Sequence, residues 1–248
     1  MENGFSFKTL APSADPMGAA IAEYFKTGKA AKLRVMSEMF EEDEIPVKTL
    51  FRTYAQMSKL EKLALEKAQG SILDVGAGSG CHSLALQDMG KEVCAIDISP
   101  LSVETMKARG VKDVAEVNLF SPMLDRKFDT ILMLMNGTGI IGTLENMPAF
   151  FARMKQLLSD GGSILIDSSD LRYLYEEEDG SLMIDLADEY YGLLDYQMEY
   201  KGILGEPFDW LYVDFDTLAY YAEENGFSAE LLYEGEHYDY LARLSAKQ

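Results

Sequence analysis

Cysteine, histidine, tryptophan and positive charge are all scarce in this chain of 248 residues. The two cysteines, Cys81 and Cys94, form neither a disulfide framework nor a metal-ligand spacing, which fits a reduced compartment. No apolar run approaches the roughly 20 residues a bilayer crossing needs. Met1–Leu10 also lacks a basic stretch followed by an apolar core. A cytoplasmic protein without membrane contact is therefore expected. Only 22 residues are basic against 42 acidic, for a net charge of −20. The imbalance is local: between Asp167 and Asp239 there are 21 acidic residues and two basic ones, Arg172 and Lys201. Such a surface repels a phosphate backbone, so nucleic acid is excluded as a substrate and a small molecule is expected.

What is present divides into three zones without internal repeats. From about Asp15 to Gln69 apolar residues recur at helical spacing, as Ile21, Tyr24 and Phe25 do. The acidic turn 41–46 interrupts this zone and Gly70 stops it, so residues 1–70 are expected to form an N-terminal helical cap without strands. From 71 to 169, short apolar runs at 71–75, 92–97, 113–117, 128–135 and 162–168 alternate with helical stretches at 84–89, 101–108 and 145–158. That alternation predicts an α/β fold, doubly wound around a mostly parallel sheet with its ligand edge at the strand carboxyl ends. The last zone is aromatic-rich at 190–201 and 207–214, which predicts a β-hairpin inserted after the fifth strand, within about 170–214. A helix at 215–224 and an antiparallel pair at 228–233 and 238–244 then close the domain, 71–248.

The strongest local signal is Ile72-Leu73-Asp74-Val75-Gly76-Ala77-Gly78-Ser79-Gly80, an apolar strand feeding a glycine turn ahead of a helix. Missing side chains let backbone approach a ligand, and N–H groups at the helix start can receive a carboxylate. Val93-Cys94-Ala95-Ile96-Asp97 ends the next strand in an acid suited to two ribose hydroxyls. A nicotinamide fingerprint begun at Gly76 would need glycine at 81, where Cys81 stands.

The stretch resembles the first motif of class I S-adenosylmethionine (SAM)-dependent methyltransferases. The resemblance implies a seven-stranded sheet with an antiparallel last strand, SAM as cofactor and S-adenosylhomocysteine (SAH) as product. It assigns Asp74, Gly76, Ala77, Gly78 and Gly80 to the methionyl end, and Asp97 with Ile98 to the ribose. Asn118 with Leu119 falls at the adenine, where the family usually has Asp. Residues 128–132 and 157–165, with Asp160-Gly161-Gly162, resemble the family's fourth-strand and fifth-strand motifs.

On the acceptor side the candidate catalytic residues are Asn136, Asp167 and Asp170, which orient the acceptor or act as base; Asn136 is also a candidate cofactor contact. Asn136 resembles the Asn of methyltransferases acting on nucleobase amines, yet no Pro-Pro-Tyr follows it. With the two acids it loosely echoes the metal site of catechol-type relatives, but the identities differ and no metal is expected. Tyr190, Tyr191, Tyr196, Tyr200, Phe208, Trp210 and Tyr212 alternate with Asp195, Glu199 and Asp209 in the hairpin. Aromatic faces and acids together favour a cationic or amine-bearing small acceptor. An aminopropyltransferase-like enzyme and a non-catalytic SAM-binding interaction module remain alternatives.

Overall fold

The computed structural model describes residues 7–40, 42–176 and 189–247. Residues 1–6 of the amino-terminal reading, Glu41 of the acidic turn and 177–188 of the expected insertion lie outside them. The chain runs α1 (Pro16–Thr27), β1 (Leu33–Met36), β2 (Asp43–Ile45), α2 (Lys59–Lys67), β3 (Ser71–Val75), α3 (Cys81–Asp88), β4 (Glu92–Asp97), α4 (Pro100–Arg109) and β5 (Asp113–Glu116). It continues through β6 (Phe128–Met133), α5 (Met147–Leu157), β7 (Leu158–Ser169), β8 (Leu193–Tyr200), β9 (Ile203–Leu204), β10 (Phe208–Leu211), α6 (Phe215–Glu224), β11 (Phe227–Glu234) and β12 (Asp239–Ala246).

Seven strands form the main sheet in the order β11-β12-β7-β6-β3-β4-β5. From β7 to β5 every pairing is parallel, while β12 runs antiparallel between β7 and β11. Helices cover both faces, which is why the central strands are apolar throughout: Ile72 to Val75 are all buried. One face packs Ile131, Met133 and Ile164 against Phe150, Phe151 and Met154 of α5 and Leu218 of α6. The opposite face packs Ile72, Leu132 and Leu165 against Leu60 and Leu65 of α2 and Leu86 of α3.

Local signals set the helix ends. Asp15 caps α1 by accepting Gly18 N–H at 2.8 Å, with Pro16 in the first turn. Ser58 and Glu61 form a reciprocal capping box on α2. Ser99 caps α4, which ends at Gly110 in the left-handed conformation.

The amino-terminal segment is helical at α1 and α2, but the expectation that it holds no strands is corrected. β1 and β2 join β8, β9 and β10 in a second, antiparallel sheet whose main order is β10-β8-β1-β2. Four and three residues are too short to show alternation in sequence. The partner of β1 in this sheet, β8, lies more than 150 residues away, and Arg34 of β1 binds both Glu42 and Glu199. The inserted hairpin is present, with β8 and β10 as its arms and a tight Lys201-Gly202 turn, both at positive φ, leading to β9.

Candidate active site

The turn after β3 is built from backbone. Gly76, Gly78 and Gly80 all hold positive φ, between 56 and 79°. At Gly78 an added Cβ would meet nothing closer than 3.9 Å, so the loop shows bare peptide to the space above it. Gly80 differs: it caps α3 and abuts Met106 and Val111, and it does not line the cavity. Asp74, under the loop, is buried and accepts the Ser83 hydroxyl at 2.5 Å. Burial pushes its carboxyl up from the usual range.

Asp97 ties the second strand to the first. One carboxylate oxygen accepts Gly78 N–H at 2.8 Å and the other accepts Ser99 N–H at 2.8 Å. Burial raises its carboxyl to about 6, against the pull of those two amides, with Asp15 and Asp74 adding like charge nearby. Asn118 accepts Phe120 N–H at 2.9 Å, a local turn that directs its amide group.

Behind the loop lies a cluster the sequence did not announce. Glu61 of α2 binds Arg52 at Nε (2.9 Å) and His82 Nε2 at 2.7 Å, all three nearly inaccessible. Burial pushes the Glu61 carboxyl up, but the hydrogen bonds from His82 and Arg52 outweigh it and hold the group far below the ordinary range. Arg109 completes the tie between the cap and the glycine turn. It donates to Ser79 O and Oγ (2.5 and 2.7 Å) and lies 4.7 Å from the Phe51 ring centroid.

The loop after β6 carries Asn136 at φ 59°, ψ 56°, a left-handed conformation that Asn tolerates. Its side-chain oxygen accepts from Ser168 at 3.0 Å, while Ser168 in turn accepts Val213 N–H at 3.0 Å. Asp167 accepts Met135 N–H at 3.1 Å and Gly137 N–H at 2.9 Å, bracketing Asn136. Burial raises the Asp167 carboxyl to about 6 despite those amides. Asp170 caps the short turn after β7, pairs with Arg172 at 2.7 Å and accepts the Tyr191 hydroxyl at 2.9 Å. Of the three acceptor-side candidates only Asn136 lines the cavity; Asp167 and Asp170 sit behind its wall.

One cavity of about 1190 Å³ spans the gap between the sheets. It exceeds the roughly 300–1,000 Å³ of a site for one drug-sized ligand. Its floor holds Asp74, Gly76, Ala77, Gly78, Asp97, Ile98, Asn118, Leu119 and Asn136 together. Its roof is one face of the second sheet: Leu194, Tyr196 and Met198 of β8 beside Phe208 and Trp210 of β10. Phe208 stands edge-on to both neighbours, at 74° to Tyr196 and 78° to Trp210. The tyrosines at 196 and 212 share a hydrogen bond of 3.3 Å, and burial pushes both phenols up. Asp195 and Asp209 are register partners set between these aromatic positions; Asp209 lines the cavity, whereas Asp195 does not and binds Ser37 and the Glu38 N–H. Among the described residues seven carboxylates line the cavity and no lysine or arginine does. His237, on the β11–β12 turn, also reaches its edge.

A bare-backbone turn, a half-buried acid one strand over and an amide-bearing loop on the third strand fit a nucleoside with an amino-acid tail. Comparison with known proteins agrees with that geometry. A family profile described as "Methyltransferase domain" matches residues 48–231. A crystal structure of a SAM-dependent methyltransferase from Bacteroides fragilis in complex with SAH is 63% identical, with a TM-score of 0.93 over 98% of this chain and 99% of that one. An uncharacterized methyltransferase of Staphylococcus carnosus is 30% identical over 64% of this chain and 80% of its own length. Cypemycin N-terminal methyltransferase from a Streptomyces species is 30% identical over 40% of this chain and 42% of its own length.

Proposed function

We propose, from the premise that this chain belongs to the methyltransferase-domain family and is a SAM-dependent methyltransferase of the class I Rossmann-like fold, that its acceptor is a small molecule bearing an amine. The observation that carries this reading is the cavity's charge: among the described residues carboxylates and aromatic rings line it, without any lysine or arginine. A cationic nitrogen is attracted to aromatic faces and to carboxylates, whereas an anionic acceptor meets only repulsion. Glu42, Asp43, Glu206 and Asp209, from the second sheet and its connections, supply that charge at the acceptor end. The N-terminal methyltransferase named among the relatives also supports a nitrogen acceptor. Methyl transfer from SAM replaces the alternatives of aminopropyl transfer and of a non-catalytic module.

Asp74 and the backbone of Gly76, Ala77 and Gly78 would hold the methionyl end, Asp97 and Ile98 the ribose, and Asn118 with Leu119 the adenine. Bound there, SAM would supply an electrophilic methyl on a sulfonium; the acceptor ammonium would first release a proton to solvent, and the freed lone pair would form the N–C bond as the S–C bond breaks, leaving SAH. Alignment is the protein's main contribution. Asn136, held by Ser168, faces the reacting space, and Asp167 acts on it as a positioning residue through Met135 and Gly137. Trp210, Phe208 and Tyr196 close the roof over the acceptor and exclude water.

A methylation screen read by SAH formation tests the proposal. Primary and secondary amines with an apolar body are expected to turn over. Neutral or anionic acceptors that outcompete every amine would overturn the amine assignment while leaving methyl transfer itself in place.

A further inference from the structure

Met135, on the loop after β6, holds a backbone conformation that its side chain makes unfavourable. Its φ is 69°, in the left-handed region. Asn136 beside it shares that region and tolerates it, but a side chain as long as that of Met is rarely found there. Glycine at 135 would give the loop the same shape at no steric cost. Packing does not offset the strain, because Met135 is 44% exposed. Its N–H, which Asp167 accepts at 3.1 Å, is backbone and would survive without the side chain. Strain that the fold does not need, on a loop facing the reacting space, points to a ligand.

Met135 does not stand alone. Tyr173 and Leu174, on the turn after β7, are 41% and 43% exposed, and all three residues line the cavity. Single exposed apolar residues need no explanation, whereas several on one cavity form a binding patch. Tyr173 is backed by the ring of Tyr238, stacked at 4.7 Å and 12°, and Tyr238 is itself held at φ 63°. The sheet order sets this patch on the acceptor side: β6 separates β7 from β3 and β4, whose ends carry the cofactor residues. An unbranched, polarizable Met adapts its shape to an apolar ligand. At about 1190 Å³ the cavity has room for such a ligand beside the cofactor.

We propose that the acceptor amine carries an elongated hydrocarbon substituent that lies against Met135, Tyr173 and Leu174, and that Met135 keeps its strained conformation as a specificity-determining residue. This rests on the amine reading of the acceptor and extends it from the nitrogen to the rest of the molecule.

Calorimetry on the SAH-saturated protein with n-alkylamines from butyl to octyl tests it. In the wild type each added methylene is expected to tighten binding about threefold. Met135→Gly and Leu174→Ser should each flatten that dependence to less than about twofold per methylene. The Kd for SAH should match that of the wild type, and the Tm of ligand-free Met135→Gly should be unchanged or higher. A side chain that served the fold would lower the Tm instead. A wild type whose affinity ignores chain length overturns the proposal. So do variants that keep the wild-type dependence, or a Met135→Gly protein that melts several degrees lower. 1-Alkanols of the same lengths, run beside the amines, separate the two readings: tightening with length for the alkanols alone discards the amine and keeps the apolar contact.

Discussion

The indole of Trp210 occupies the place where Gly139 would carry a Cβ: an atom built there lies 2.0 Å from the ring. The roof of the acceptor space therefore rests directly on the loop that follows β6. Gly139→Ala is expected to push Trp210 out of position, costing about 1–3 kcal/mol in stability as overpacking does. The acceptor KM should rise while the Kd for SAH, set on the floor of the cavity, stays within twofold. Steady-state kinetics beside calorimetry checks the split, and an equal loss on both sides would contradict it.

Asp97 gives a pH dependence with a definite sign. Its carboxyl is raised to about 6 in the folded protein, so it is protonated below that pH. Hydrogen bonds from the ribose to a charged oxygen then weaken, and SAH affinity is expected to fall as pH drops from 8 to 5. Asp97→Asn should flatten that profile and cost about 1–3 kcal/mol at pH 8.

The fold responds in the opposite direction. Asp97 and Asp167, both raised to about 6, favour the folded state below the ordinary aspartate range, and this contribution is lost as pH rises through 6. Glu61 is held low, so its contribution is present above the ordinary glutamate range and fades only under stronger acid. The Tm of the ligand-free protein is accordingly expected to be higher near pH 5.5 than at pH 8, and thermal scans across that range decide it.

Breaking the cluster behind the glycine turn should be costly. Glu61→Leu leaves Arg52 and His82 without their shared carboxylate, and loss of one partner from a buried ion pair costs about 3–5 kcal/mol. For a chain of this size that corresponds to a Tm lower by roughly 6–20 °C. SAH should restore part of it by binding the native state. A shift below 3 °C would show that the cluster contributes little.

The sequence made the floor of the site legible and its roof illegible, for a physical reason. Gly76, Gly78 and Asp97 sit on consecutive strand ends, so spacing along the chain reports their proximity in space. β1 joins the sheet by pairing with β8, with β2 added on its other edge, and nothing in the four residues of β1 encodes a partner beyond residue 190. Asp167 and Asp170 read as chemistry because they follow a core strand, yet backbone amides, Arg172 and Tyr191 engage them behind the cavity wall. Glu61 carries no sign in the sequence that Arg52 and His82 converge on it. Phe208, Trp210 and Tyr212 did carry a signal, since alternate residues of a strand share a face.

Because the roof is assembled from β1 near the start of the chain and β8 to β10 past its middle, it is not a detachable module. Exchanging residues 190–214 alone between two homologues would orphan the edge that Val35 and Met36 present to Met198 and Gln197. Acceptor preference in this scaffold should therefore be re-engineered by transplanting both segments at once, the way a mortise is replaced together with its tenon.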